Sequence, residues 1–326
     1  MKRLFRPRWV LGVAAVAVAS LVVGACGSSP SGTTAKKTVG VVVFVSTNTF
    51  DRTVAKGIED EATKAGWNYK ELDSGGSIAN VNSNIENLVT AKVDAIIIIT
   101  ASSSSLTAGL AQAKAAGIPV ISQDGGLADG VIGDLANVND TSAGAVIDQM
   151  ISDMKGKGQL LALTYTPGAP CKLRDDLLLS KLQQYPGIHM TRFELPDNNM
   201  VQAAQTATNA WLTAHPASAG DTMAIWGCYD DPALGGTAAA AAANRTVLGY
   251  GYNGGPNALQ AMQKGQFQAT EYFDPTQIGQ NAWKLLSDAL AAGSSWQPKV
   301  VPGPYILVTK DTLSSFLASH PDALNG

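Results

Sequence analysis

Residues 39–66 read VGVVVFVSTNTFDRTVAKGIEDEATKAG. Their first part, Val39 to Val45, is a continuous apolar run. A run without alternation is the pattern of a strand buried on both faces. Beyond a short polar stretch, Val54, Ile58, Ala62 and Ala65 recur at helical spacing, and Gly66 stops that helix. A doubly buried strand followed at once by an amphipathic helix is the opening unit of a parallel α/β sheet.

The unit recurs downstream. Strands are predicted over Trp67–Leu72, Ala95–Ile99 and Ile118–Ser122, with helices through Ile78–Val89 and Leu106–Ala116 between them. A second series follows. Its strands are Gln159–Tyr165, Ile188–Glu194, Thr222–Gly227, Thr246–Tyr250 and Gln268–Phe273. Its helices are Leu177–Gln184, Met200–Ala214, Leu234–Ala243, Ala258–Lys264 and Ile278–Ala292. The fold class is therefore α/β, with two doubly wound, Rossmann-like domains in tandem. Such sheets bind ligands outside the carboxyl ends of their strands, so two facing units would place both sets of loops on one cleft.

The N-terminus sets the compartment. Lys2, Arg3, Arg6 and Arg8 precede an apolar run from Trp9 to Ala25. A basic region before a short apolar stretch is a secretory signal. The run is shorter than the ~20 residues of a spanning helix. It ends in Val23-Gly24-Ala25-Cys26, which resembles the bacterial lipobox, where the Cys is acylated. Ordinary cleavage near Ala25, leaving a free Cys26, is the other reading. The Ser/Gly/Thr-rich stretch from Gly27 to Lys37 suits a tether between an anchor and a folded domain. Residues 1–25 are thus read as signal peptide, and 26–37 as a lipid-anchored linker on the outer face of the cell membrane.

Loss of residues 1–25 leaves 19 of the 23 Lys and Arg against 26 Asp and Glu, a net charge of −7. No basic stripe remains to hold nucleic acid. Catalytic candidates are few. The three His are His189, His215 and His320, none within a metal-ligand spacing, and Gly-x-Ser-x-Gly is absent. Gly249-Tyr-Gly251-Tyr-Asn-Gly254 matches the dinucleotide fingerprint, with Glu271 about twenty residues on. It comes late in the chain and Pro256 interrupts it, so a glycine-rich ligand loop presenting Asn253 is the preferred reading. No cofactor and no metal are expected.

Several landmarks occur in order: Gly40-Val-Val-Val-Phe-Val-Ser-Thr, Gly57, Val93-Asp-Ala-Ile-Ile-Ile-Ile, Ala116-Gly-Ile-Pro-Val-Ile-Ser-Gln-Asp124, Leu212-Thr-Ala-His-Pro, Asp230-Asp-Pro-Ala-Leu-Gly235 and Pro275-Thr-Gln-Ile-Gly279. From Lys37 to about Lys310 the sequence resembles the periplasmic ribose-binding protein family, the type I solute-binding proteins of ABC importers. The resemblance implies a type I periplasmic-binding-protein fold with a three-segment hinge near residues 138–140, 273–275 and 301–305. It divides the chain into an N-terminal lobe of 38–138 plus 275–303 and a C-terminal lobe of 139–274 plus 304–326. It also implies a monomeric, non-catalytic receptor that closes on a small carbohydrate or sugar alcohol and delivers it to a membrane permease. An exported enzyme or a chemosensory receptor on the same scaffold is the alternative.

The resemblance points to particular ligand-binding residues. Asn48, Phe50 and Asp51 follow the first strand. Phe50 suits the C–H face of a sugar, and Asn48 and Asp51 suit hydroxyls. Asp51 has a second reading, as cap of the next helix. Asp124 stands at the family's central carboxylate position, or else is a turn residue before Gly125-Gly126. The usual Arg after it is replaced by Gly125. Arg174 matches the cleft arginine of the second domain, its rival role being an ion pair with Asp175 or Asp176. Asn198, Tyr229, Asp230, Asn253 and Phe273 complete the set. Tyr229 and Phe273 replace amides, and Asn253 replaces an acid. That implies a smaller and less charged pocket, suited to a short polyol. The family also makes neighbours of the strands before Cys171 and Cys228, which would let those two pair as a disulfide.

Overall fold

The computed structural model describes residues 35–138, 140–216 and 222–325. The segment read as a signal peptide, Cys26, most of the tether and residue 139 of the first hinge segment lie outside the described residues.

In chain order, the first half runs β1 (Thr38–Val43), α1 (Thr49–Lys64), β2 (Asn68–Asp73), α2 (Ile78–Thr90), β3 (Ala95–Ile99), α3 (Thr107–Ala115), β4 (Val120–Gln123) and β5 (Val131–Ala136). The chain continues through α4 (Asp140–Asp153), β6 (Lys157–Thr164), α5 (Ala169–Leu182), β7 (Gly187–Glu194), α6 (Met200–Ala214), β8 (Met223–Gly227), α7 (Asp230–Ala242), β9 (Leu248–Asn253), α8 (Pro256–Gln263) and β10 (Ala269–Tyr272). It ends with α9 (Pro275–Ala292), β11 (Lys299–Pro302), β12 (Ile306–Thr309) and α10 (Leu313–Ser319).

Among the described residues the strands form two six-stranded sheets, ordered β2-β1-β3-β4-β5-β11 and β7-β6-β8-β9-β10-β12. The first is parallel throughout. The second is parallel except for β12, which runs antiparallel to β10. Each is a doubly wound sheet whose order reverses beside its first strand. The central strands explain the apolar runs. Ile96, Ile97, Ile98 and Ile99 of β3 are all fully buried, because helices cover both faces. Each such side chain contributes roughly 1.5–3 kcal/mol of burial.

The chain passes between sheets three times: from β5 to α4, from β10 to α9, and from β11 to β12. α9 therefore returns to the first lobe, where it packs along α1. Two glycines permit this. A Cβ on Gly279 would stand 2.2 Å from the Val54 carbonyl oxygen, and one on Gly57 would stand 2.7 Å from that of Thr276. This close approach of two backbones accounts for Gly57 and Gly279 as landmarks.

Some expectations shift. α5 begins at Ala169, well before Leu177, with Pro170 in its first turn where a missing N–H costs nothing. α7 begins at Asp230 rather than Leu234, its two leading acids suiting the positive helix end. β9 extends to Asn253, so that residue ends a strand instead of sitting in a loop. β5, α4, β11 and β12 occupy stretches that apolar periodicity does not single out.

Candidate functional site

The carboxyl ends of the two sheets face each other across a cavity with about 600 Å³ of non-atom space, part of it continuous with solvent. The lobes meet around it. Tyr165 Oη donates to the Gly76 carbonyl at 3.0 Å, and the Ala169 amide donates to the Thr100 carbonyl at 3.3 Å. The rings of Phe44 and Tyr165 stack across the gap at 6.2 Å.

Asn48, Phe50 and Asp51 line the first-lobe wall. Asn48 is the N-cap of α1, its Oδ1 accepting from the Phe50 amide at 2.8 Å. This uses the amide oxygen and leaves the amide nitrogen as a donor. The capping role considered for Asp51 thus belongs to Asn48. Asp51 is buried at 4% exposure, and its Oδ2 accepts from Thr100 Oγ1 at 3.1 Å. Burial pushes its carboxyl up to about 7, against the pull of that hydrogen bond.

Asp124 also lines the cavity, in the left-handed conformation with φ 55°. Its Oδ1 accepts from the Asn137 and Val138 amides at 2.6 and 2.9 Å, and its Oδ2 contacts Gln123 Nε2. Burial pushes it up to about 7. The Val138 bond opposes the shift and the charge of Asp134 adds to it. The next residue has no room for a side chain. A Cβ on Gly125 would lie 2.2 Å from Ser122 Oγ and 2.4 Å from the Ala101 carbonyl.

From the second lobe, Arg174 reaches the cavity from α5 at 2% exposure. Nη1 donates to the Cys228 carbonyl at 2.8 Å, Nη2 lies 3.8 Å from Glu271 Oε2, and the guanidinium sits 4.3 Å over the Tyr252 ring. Burial lowers its pKa, opposed first by the charge of Glu271. The rival ion pairs are taken by others. Arg192 holds Asp175 at 2.8 Å, and Lys172 holds Asp176 at 2.7 Å. Cys171 and Cys228 are disulfide-bonded with Cα atoms 4.9 Å apart, and β6 and β8, the strands before them, are neighbours.

Tyr229, Asn253 and Phe273 line the cavity as well. Tyr229 Oη donates to Met200 Sδ at 3.0 Å. Phe273 is 2% exposed and meets Phe50 edge-on at 6.3 Å. Two expected residues are elsewhere. Asn198 is exposed, and Met200 lines the wall in its stead. The chain turns at Asn199, whose φ of 54° carries Met200 inward. Asp230 lies behind the wall. It accepts from Thr270 Oγ1 at 2.8 Å and from the Gly255 amide at 3.0 Å, which fixes the loop beyond Asn253. Burial pushes Asp230 up to about 8. The Gly254 amide donates to Thr270 Oγ1 at 3.1 Å. The glycine-rich loop therefore spends these two N–H groups on protein oxygens, beside a carboxylate, and offers no phosphate cradle.

Sequence reasoning missed Phe44, Thr100, Tyr165 and Met200 on the wall and Glu271 behind it. Among the described residues, no group of His, Cys, Asp and Glu could hold a metal ion, and no helix is long and apolar enough to cross a membrane.

The geometry is that of a two-lobed clamp around a small cavity that mixes carboxylates, a guanidinium and aromatic faces. The chain belongs to the periplasmic binding protein domain family, whose model matches residues 39–294. It is similar to the ribose import binding protein of Bacillus subtilis, 27% identical over 272 residues, covering 80% of this chain and 84% of that one. It is also similar to the xylitol-binding protein of Mycolicibacterium smegmatis, 26% identical over 310 residues, covering 92% and 85%. Among solved structures, an ABC transporter solute-binding protein from Agrobacterium vitis with bound allitol superposes with a TM-score of 0.81 at 25% identity, covering 87% of this chain and 99% of that one. All three relatives are named as binding proteins, the first of an importer and the third of an ABC transporter.

Proposed function

We propose that the chain is the extracytoplasmic solute-binding component of an ABC importer and that its ligand is a short sugar alcohol, held between the lobes and passed to the permease. The observation that carries the ligand reading is the composition of the wall. Asp51 and Asp124 offer acceptors, Asn48 and Arg174 offer donors, and Asn253 offers both. Phe50, Tyr229 and Phe273 cover the C–H surface between them. The names of the xylitol-binding and allitol-bound relatives point the same way. Equilibrium titration against tetritols, pentitols and aldoses tests the reading. Tight binding of a pentitol is expected, and tight binding of a hexose alone would sink it.

The anchoring is part of the same proposal. Cys26 carries lipid and holds the monomeric receptor at the outer face of the cell membrane. Intact mass of the mature N-terminus checks this, and Cys26→Ala should release the protein into the medium.

A further inference from the structure

Cys228 grips α5 twice. Its sulfur is bonded to Cys171 in the first turn of the helix, and its carbonyl accepts from Arg174 one turn further on. Residues three apart on a helix share a face, so both attachments are on the same side. The two links close a small ring: Cys171, one helical turn, Arg174, the Cys228 carbonyl, and the disulfide back to Cys171. Cys171 itself lines the cavity, and so does Tyr229, the residue after Cys228. The Cys228 amide is tied in turn to the Leu163 carbonyl at 2.9 Å, near the end of β6.

Arg174 has much to lose if the ring opens. Among the described residues it is the one basic side chain on the cavity wall. Its Nε is buried without a hydrogen-bond partner. Its position over Tyr252 and beside Glu271 depends on where the first turns of α5 stand. The same end of α5 makes one of the contacts between the lobes, through Ala169 and Thr100. Beside the disulfide, the Arg174 hydrogen bond to the Cys228 carbonyl ties that turn to the end of β8.

We propose that the Cys171–Cys228 disulfide is part of the ligand-binding apparatus, positioning Arg174 at the cavity wall, so that reduction weakens ligand binding while both lobes stay folded. This rests on the reading of the cavity as the ligand site. The step is a two-electron exchange. Dithiothreitol gives two electrons and two protons to the disulfide, leaving two thiols, and becomes its own cyclic disulfide. Because binding free energies are reciprocal, a ligand that prefers the braced form must also make the bond harder to reduce, by the same factor.

The test compares oxidised and dithiothreitol-reduced protein, with the thiol state checked by alkylation and intact mass, and Cys171→Ser/Cys228→Ser as a reductant-free equivalent. Xylitol is titrated into each by calorimetry. The expected result is affinity about tenfold weaker without the bond, the effect of misplacing one charge-assisted hydrogen bond. A double-mutant cycle then separates positioning from general loosening. In Arg174→Gln, reduction should change affinity little, whereas a merely structural bond would cost the same in both backgrounds. Equal affinities of oxidised and reduced wild type overturn the proposal. If xylitol binds neither form, the ligand class is left to the polyol and aldose panel, and hydrogen exchange decides the brace. Amides of residues 171–176 should exchange faster after reduction while those of β1 and β3 do not. Unchanged exchange in α5 overturns it.

Discussion

The Oδ1 atom of Asp124 accepts a hydrogen bond from the Val138 amide at 2.9 Å. A carboxylate on the cavity wall is thereby bonded directly to the segment through which the chain leaves the first lobe. The cavity and that crossing segment share one side chain. Any change in the charge or position of that carboxylate acts on both.

Replacing Asp124 in two ways separates the roles. Asp124→Asn keeps an oxygen for Val138 but loses the charge, and is expected to weaken ligand binding by about tenfold. Asp124→Ala loses both and is expected to weaken it further, with a more open average shape. Calorimetry reads the first effect, and small-angle scattering with and without ligand reads the second.

The buried carboxyls set a pH dependence. Asp51 and Asp124 are pushed up to about 7 and Asp230 to about 8, mainly by burial. The folded chain therefore holds protons that the unfolded chain releases above its ordinary carboxyl range. Stability must fall as pH rises through that window. Unliganded protein should melt about 5 °C lower at pH 8 than at pH 5, and Asp51→Asn should flatten the slope. Calorimetric melting across the range checks both.

Gly125 is required by space. Its substitution by Ala drives a Cβ against the Ala101 carbonyl and Ser122 Oγ. The expected cost is about 1–3 kcal/mol, read as a lower urea midpoint. Restoring a larger, basic residue there should cost at least as much and should not convert the protein to a ribose binder.

Tyr165 closes one edge of the clamp through Gly76. Tyr165→Phe keeps the stacking on Phe44 and removes the hydrogen bond. Ligand dissociation should accelerate by roughly two- to tenfold, with little change in association. Stopped-flow kinetics separates the two.

Much of this was legible in the residues. The strands β1 and β3 declare themselves as unbroken apolar runs, and α1 and α2 as periodic ones, since local burial dictates both patterns. The first-lobe wall was legible for the same reason: Asn48, Phe50 and Asp51 follow a strand whose end is easily found. The second-lobe wall was harder. Asn198 was misplaced because one left-handed residue, Asn199, decides which of its neighbours turns inward. Tyr165 looked like the last residue of a strand, and nothing local reveals a partner at Gly76. Glu271 looked like part of a nucleotide fingerprint, when its place is beneath Arg174. Contacts between segments far apart in sequence leave no periodic trace.

The packing of α9 on α1 also has a meaning in time. Val54 and Ile58 are fully buried, and the backbone beside them lies against Gly279. The first lobe is then finished at its edge by β11. In chain order residues 38–136 come early, yet the helix and strand that complete them come only after the whole second sheet but β12. The lobe that begins the sequence is thus among the last parts able to complete its packing.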